Sequence, residues 1–195
     1  MRLRGWTILL LIGAMLALTP RPTSAGGEWL DENLASWNTP GAVIPAAPEE
    51  ASIGFSACEP VVRPSETPED AQVTGQGWLL IAPYQLGWDV SVVQGTLGFD
   101  VNCRPVTYQL FVFVDGVFAG TLAPEPMLSR DDGALVDVWL AADGVSALYD
   151  RYTPSDGLCC PSAQTRVWFV VERTPAGPVV IPRRAEEVPE SSGGS

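Results

Sequence analysis

The side chains in this sequence that could do chemistry are four cysteines, a scatter of acids and a group of aromatics, because histidine and lysine are missing altogether. All eleven basic residues are arginine. Their absence excludes Ser-His-Asp and Cys-His arrangements, Ser-Lys dyads and Schiff-base lysines. It also removes the commonest zinc ligand and the usual general base near neutral pH. Thiols, carboxylate pairs and oxygen-ligated calcium sites remain.

The cysteines are Cys58, Cys103, Cys159 and Cys160. An even number in an exported chain reads as two disulfides, with three connectivities possible. A direct Cys159–Cys160 bond closes a small, strained ring, and neighbours in an extended chain point to opposite sides. Each of the adjacent pair is therefore expected to reach a different partner, Cys58 or Cys103, with the assignment between those two left open. A redox switch at Cys159-Cys160 is the functional alternative. The spacing is not Cys-X-X-Cys, and no His or Lys is present to lower a thiol pKa, so structural cross-linking is preferred.

Among the acids, Asp131-Asp132, Asp137, Asp143, Asp150 and Asp156 could serve a calcium site or an acid/base pair. Asp115 and Asp143 each precede glycine and are explained by turns. The strict Asp-x-Asp-x-Asp-Gly calcium loop is absent, and neither a metal nor another cofactor is expected. Trp139, Tyr149, Tyr152 and Trp168 lie on three predicted strands, where they could line a face that stacks sugars or peptides, although aromatics in a small β domain more often fill its core. With Arg151 and Arg166 nearby, such a face would be rimmed by charge. The candidate binding surface is Arg130, Asp131, Asp132, Arg151, Tyr152 and Trp168.

These residues need elements to position them. Val106–Val114 carries Tyr108, Leu110, Val112 and Val114 on one face and Phe111 and Phe113 on the other, which predicts a central strand covered on both sides. Asp115-Gly116 supplies the positive φ values of a two-residue type I′ turn into a return strand, Val117–Leu122. A longer connection, Ala123–Gly133, leads to a strand at Ala134–Ala141, read as Ala134, Val136, Val138 and Leu140 on one face against Asp137. Asp143-Gly144 then turns the chain into Val145–Tyr152, and Gln164–Glu172 is the last predicted strand. Upstream, Gly77–Ala82 and Gly87–Val93 read as strands, and Glu66–Val73 allows one short helical turn.

Cys103 precedes the first of the five later strands and Cys159-Cys160 the last. In a flat meander they would stand roughly 19 Å apart, at ~4.8 Å per strand, too far for a disulfide. A bond between them would require a curled sheet or a different strand order. The expected fold is all-β: a small, mainly antiparallel sheet, curled into a roll or barrel or split into a two-layer sandwich, disulfide-tied, with disordered termini.

The first 25 residues read as an export signal: Arg2 and Arg4, the apolar run Gly5–Leu18, then Thr23-Ser24-Ala25 before Gly26. The run is shorter than the ~20 residues of a membrane span. No cysteine lies near the cleavage point, so no lipid-attachment box is present, and no stable membrane anchor is expected after cleavage. Cleavage leaves eight arginines against 23 acids, a net charge near −15. That charge excludes nucleic acid as a partner and disfavours anionic lipid. Residues 26–56 read as a flexible leader in which Trp29 and Trp37 dock onto the domain, residues 57–173 as the β domain, and residues 174–195 as a disordered acidic tail.

Two stretches carry a family resemblance. Tyr108–Leu122, continuing through Pro124-Glu-Pro-Met-Leu-Ser-Arg130 and Asp132-Gly133, is one; Arg151-Tyr152 with Leu158-Cys-Cys-Pro-Ser162 is the other. Together they resemble the LppP/LprE family of bacterial envelope lipoproteins over roughly Gly75–Glu172. The resemblance implies an extracytoplasmic domain and brings no biochemical activity. The expected function is a non-catalytic binding or structural module of the envelope or exterior, with a ligand from that compartment. The alternative is a carboxylate-dependent enzyme acting on cell-wall or extracellular glycan.

Overall fold

In the structure, a computed structural model that describes residues 28–31, 34–48, 56–157 and 159–188, nine strands form two antiparallel sheets. The first sheet runs in the order β1 (Leu79–Gly87), β2 (Val90–Phe99), β3 (Pro105–Val114) and β4 (Val117–Thr121), with the two-residue β5 (Met127–Leu128) pairing the start of β3. The second runs β6 (Ala134–Ala141), β7 (Gly144–Arg151), β8 (Ala163–Thr174) and β9 (Gly177–Val188). Each sheet is a meander of hairpins, so every main-chain pairing joins neighbours in sequence except that of β5. The expected export signal lies outside the described residues.

The predicted hairpin forms as its pattern dictates. Asp115 and Gly116 take φ values of 50° and 75°, the pair of positive angles that a type I′ turn demands. Alternation along β3 then sends Tyr108, Leu110, Val112 and Val114 into the space between the sheets. There they meet Val138, Val145, Ala147, Tyr149, Val167, Phe169 and Val171 of the second sheet. Phe111 and Phe113 point the other way and pack with Trp78, Leu80, Val93, Leu97, Phe118 and Val73. Val73 belongs to a short helix, α1 (Pro68–Thr74), which covers that outer face. The central strand is thus buried on both sides, in a two-layer sandwich.

The helix forms where the only helical turn was expected. Thr67 caps it, its hydroxyl accepting from the Asp70 amide, and the Asp70 carboxylate accepts in turn from the Thr67 amide, a reciprocal capping box. Asp70 is fully buried and also receives both guanidinium nitrogens of Arg63, at 2.5 and 2.7 Å. Burial alone would raise its carboxyl, but the bonds from Arg63 and from the Glu66 and Thr67 amides outweigh burial and hold its pKa below the usual value.

Four expectations are corrected by the structure. The disulfides are Cys58–Cys103 and Cys159–Cys160, not bonds from each adjacent cysteine to Cys58 or Cys103. Cys159 lies in a turn, not in extended chain, so the argument from opposite-facing neighbours does not apply. Cys103 sits at the end of the first sheet and is reached by the segment before α1. Second, residues 177–188 are a full strand, and β9 pairs β8 from Thr174↔Gly177 to Gln164↔Val188; residues 189–195 of the expected tail lie outside the described residues. Third, the leader is not flexible throughout, while the expected docking of Trp29 and Trp37 is observed. Trp29 packs edge-on against Trp37 and Tyr149, and the Asn38 amide nitrogen donates to the Thr121 and Val180 carbonyls while its oxygen accepts from the Thr121 amide. Asn38 thereby ties β4 to β9 where the sheet edges meet, and Gly120 leaves room for it: a Cβ there would fall 2.3 Å from the Asn38 side chain.

The fourth correction concerns β6. Its register shifts between Leu135 and Asp137, and this bulge changes the phase of the alternation. Leu135, Val138 and Leu140 pack on the core, while Val136 is exposed and Asp137 turns back to accept from the Val138 amide.

Candidate functional site

At one end of the sandwich the sheets part to leave a cleft of about 460 Å³. Its floor is Val106, Tyr108, Leu128 and Leu135, and its rim is Gln94, Asp100, Arg104, Arg130, Asp131 and Tyr152. Four elements place the rim residues. Gln94 stands on β2, Asp100 and Arg104 flank the β2–β3 loop that Cys58–Cys103 pins, Arg130 and Asp131 follow β5, and Tyr152 leaves β7.

The floor is rigid. Tyr108 is buried, and its hydroxyl donates to the Gly133 carbonyl at 2.7 Å. Burial pushes its phenol well above the usual pKa, so it stays neutral. Asp132 is also buried, with its carboxylate accepting from the Leu128 amide at 2.7 Å. Its role is to close the turn after β5.

The rim divides into groups already engaged and groups left open. Asp100 is engaged. Burial alone would raise its carboxyl, but hydrogen bonds from Arg104 and Asn102 outweigh that and hold its pKa below the usual value; Arg104 completes an ion pair with it at 2.6 Å. Arg130 is engaged too. Its guanidinium lies 4.7 Å from the Tyr152 ring centre and donates to the carbonyls of Gly157, Thr153 and Asp156. The cation therefore orders the β7–β8 loop and steadies one face of the Tyr152 ring. By contrast, the Asp131 carboxylate, the Tyr152 hydroxyl and the Gln94 amide make no hydrogen bond to other described residues.

Of the six residues proposed for a surface, the structure brings Arg130, Asp131 and Tyr152 together. Asp132 lies beneath them. Arg151 is elsewhere, holding the Asp31 carboxylate at 2.6 and 3.1 Å and so pinning the leader. Trp168 is on the outer face of the second sheet, where the Arg184 guanidinium sits 3.9 Å from its ring centre; beside it, Arg166 lies 4.1 Å from Trp139. Tyr149, the other aromatic considered, is core. Sequence reasoning missed Gln94, Asp100 and Arg104. A signal for the last two was present, because they bracket Cys103.

The carboxyls of Asp70, Asp100 and Asp156 are each held below the usual pKa by the hydrogen bonds they accept. Among the described residues, no group of three or more Cys, Asp or Glu is placed to hold a metal ion.

The sequence profile of the LppP/LprE lipoprotein family matches residues 84–174, and the resemblance read from Tyr108–Leu122 and the Cys-Cys-Pro-Ser motif is confirmed over that stretch. It runs from β1 to the end of β8 and holds the whole cleft rim. No curated protein and no solved structure matches the chain. A family of lipoproteins points to the cell envelope.

Proposed function

We propose that this chain is a non-catalytic binding module, exported to the envelope or the exterior, and that the cleft between the sheets takes a neutral, hydroxyl-bearing ligand such as a fragment of wall glycan. The observation that carries this reading is the set of open groups on the rim. A carboxylate that accepts from paired hydroxyls, an amide that both donates and accepts, and an aromatic ring with its own hydroxyl are what a sugar edge and face require. The charges on the rim, Asp100 and Asp131 against Arg104 and Arg130, balance one another within a strongly acidic chain. This favours a neutral ligand over a phosphate or a carboxylate.

The enzymatic alternative needs two carboxyls free to act across a bond. Asp100 is bound up with Arg104 and the loop amides, which leaves Asp131 without a partner of that kind. Calorimetric titration with soluble wall-glycan fragments tests the choice. Saturable binding without new reducing ends is expected. Asp131→Ala should weaken it about tenfold or more, because a hydrogen bond to a charged group contributes about 1.5 kcal/mol or more. Turnover that disappears in Asp131→Asn would establish the enzyme instead.

A further inference from the structure

The Cys159–Cys160 bond does no work as a cross-link. It joins adjacent residues, so it closes no length of chain, unlike Cys58–Cys103 at a separation of 45. Both of its cysteines are exposed, whereas Cys58 is buried. The loop that carries it is held by other means. The Asp156 carboxylate accepts from the Thr153 amide and from the amide and hydroxyl of Ser162, at 2.6, 3.2 and 2.8 Å. Arg130 holds three carbonyls of the same loop, and the Ser162 amide donates to the Arg151 carbonyl at 3.1 Å. These bonds fasten both stems of the loop independently of the sulfurs.

We infer that Cys159–Cys160 is a thiol–disulfide exchange site that accepts two electrons from a dithiol, free or carried on a protein, while the domain stays folded. A thiolate of the donor attacks one Sγ along the S–S bond. A mixed disulfide forms, and the other cysteine leaves as a thiolate and takes a proton. The donor's second thiolate then attacks its own sulfur in the mixed disulfide and releases the remaining cysteine, which is protonated in turn. The donor departs as a disulfide, and two electrons and two protons reside on Cys159 and Cys160.

The surroundings suit an electrophile rather than an attacking thiol. Asp156, its carboxyl held below the usual pKa by the Thr153 amide and Ser162 hydroxyl bonds, keeps a negative charge in the loop, and the chain as a whole is acidic. Both disfavour a resident thiolate. The rate should therefore follow the thiolate fraction of the incoming donor.

The test uses the native protein with dithiothreitol, alkylation of free thiols and peptide mass spectrometry. Cys159 and Cys160 should be alkylated together at dithiol concentrations that leave Cys58–Cys103 joined and tryptophan fluorescence unchanged. Mixed one to one with dithiothreitol, the native protein should convert it to the cyclic disulfide, whereas the Cys159→Ser/Cys160→Ser variant, which keeps the loop's other anchors, should leave it reduced. Equal oxidation of dithiothreitol by the two proteins would overturn the proposal. So would reduction of Cys159–Cys160 only together with Cys58–Cys103 or with unfolding.

Discussion

Replacing Asp70 by asparagine probes how the first sheet keeps its outer cover. The carboxylate is fully buried and accepts four hydrogen bonds, two from Arg63 and two from the amides of Glu66 and Thr67. Asparagine can keep the oxygen that faces Glu66, Thr67 and one Arg63 nitrogen. Its amide nitrogen then confronts the other Arg63 nitrogen, donor against donor. The change removes one charge-assisted bond, worth about 1.5–3 kcal/mol. Breaking a buried pair outright costs about 3–5 kcal/mol, but Arg63 keeps its bond to the Ala82 carbonyl at 2.8 Å and is partly exposed. A loss of about 2–3 kcal/mol at pH 7 follows from these limits.

The pH dependence supplies an internal control. The folded pKa of Asp70 lies below its unfolded value of about 3.9. Its ionisation therefore contributes stability that is fully present above the unfolded value and is lost as pH falls through the folded one. The gap between wild type and Asp70→Asn should be constant from neutral pH down to about 5 and narrow below about 4. Urea unfolding followed by tryptophan fluorescence measures it, because Trp78 lies beside α1 in the same cluster. A gap under about 0.5 kcal/mol at pH 7, or one that does not narrow in acid, would refute the reasoning.

Further outcomes are expected. Cys58→Ser/Cys103→Ser should cost about 4 kcal/mol by the loop-entropy relation for a separation of 45, whereas Cys159→Ser/Cys160→Ser should cost under about 1 kcal/mol in the same denaturation assay. Asn38→Ala should lower stability by about 2–3 kcal/mol, since three main-chain partners on β4 and β9 lose their bonds. Gly120→Ala should cost at least as much, because its Cβ would strike Asn38 and its φ of 132° is unfavourable for alanine. Thermal unfolding of the two variants separately and together should show less than additive losses, as they disturb one contact.

What could be read in the sequence was what is local. The Asp115-Gly116 hairpin, the double burial of β3 and the helical turn at α1 are each written within about ten residues, and periodicity or capping chemistry reveals them. The bulge in β6 was hidden because one extra residue moves Val136 outward without changing composition. β9 was disguised by Pro178, Pro182 and the charged run from Arg183 to Glu187. Prolines are tolerated on an edge strand or at a bulge, and Pro182 sits where the β8–β9 register shifts. Cysteine pairing depends on which loops meet, which alternation along one strand does not encode. The same holds for the site. Arg130, Asp131 and Tyr152 could be picked out as polar or aromatic residues at strand ends, but Gln94 joins them only through the packing of two sheets.

The central claim is that the cleft, rather than the Trp139–Arg166 and Trp168–Arg184 face, is where a ligand binds. The most direct measurement is a two-dimensional NMR titration of the labelled domain with wall-glycan fragments. The account predicts shifts confined to Gln94, the residues around Asp100–Val106, Leu128–Leu135 and Tyr152, with the indole signals of Trp139 and Trp168 unmoved. Shifts that cluster on those two indoles, or none at saturating glycan, would contradict it.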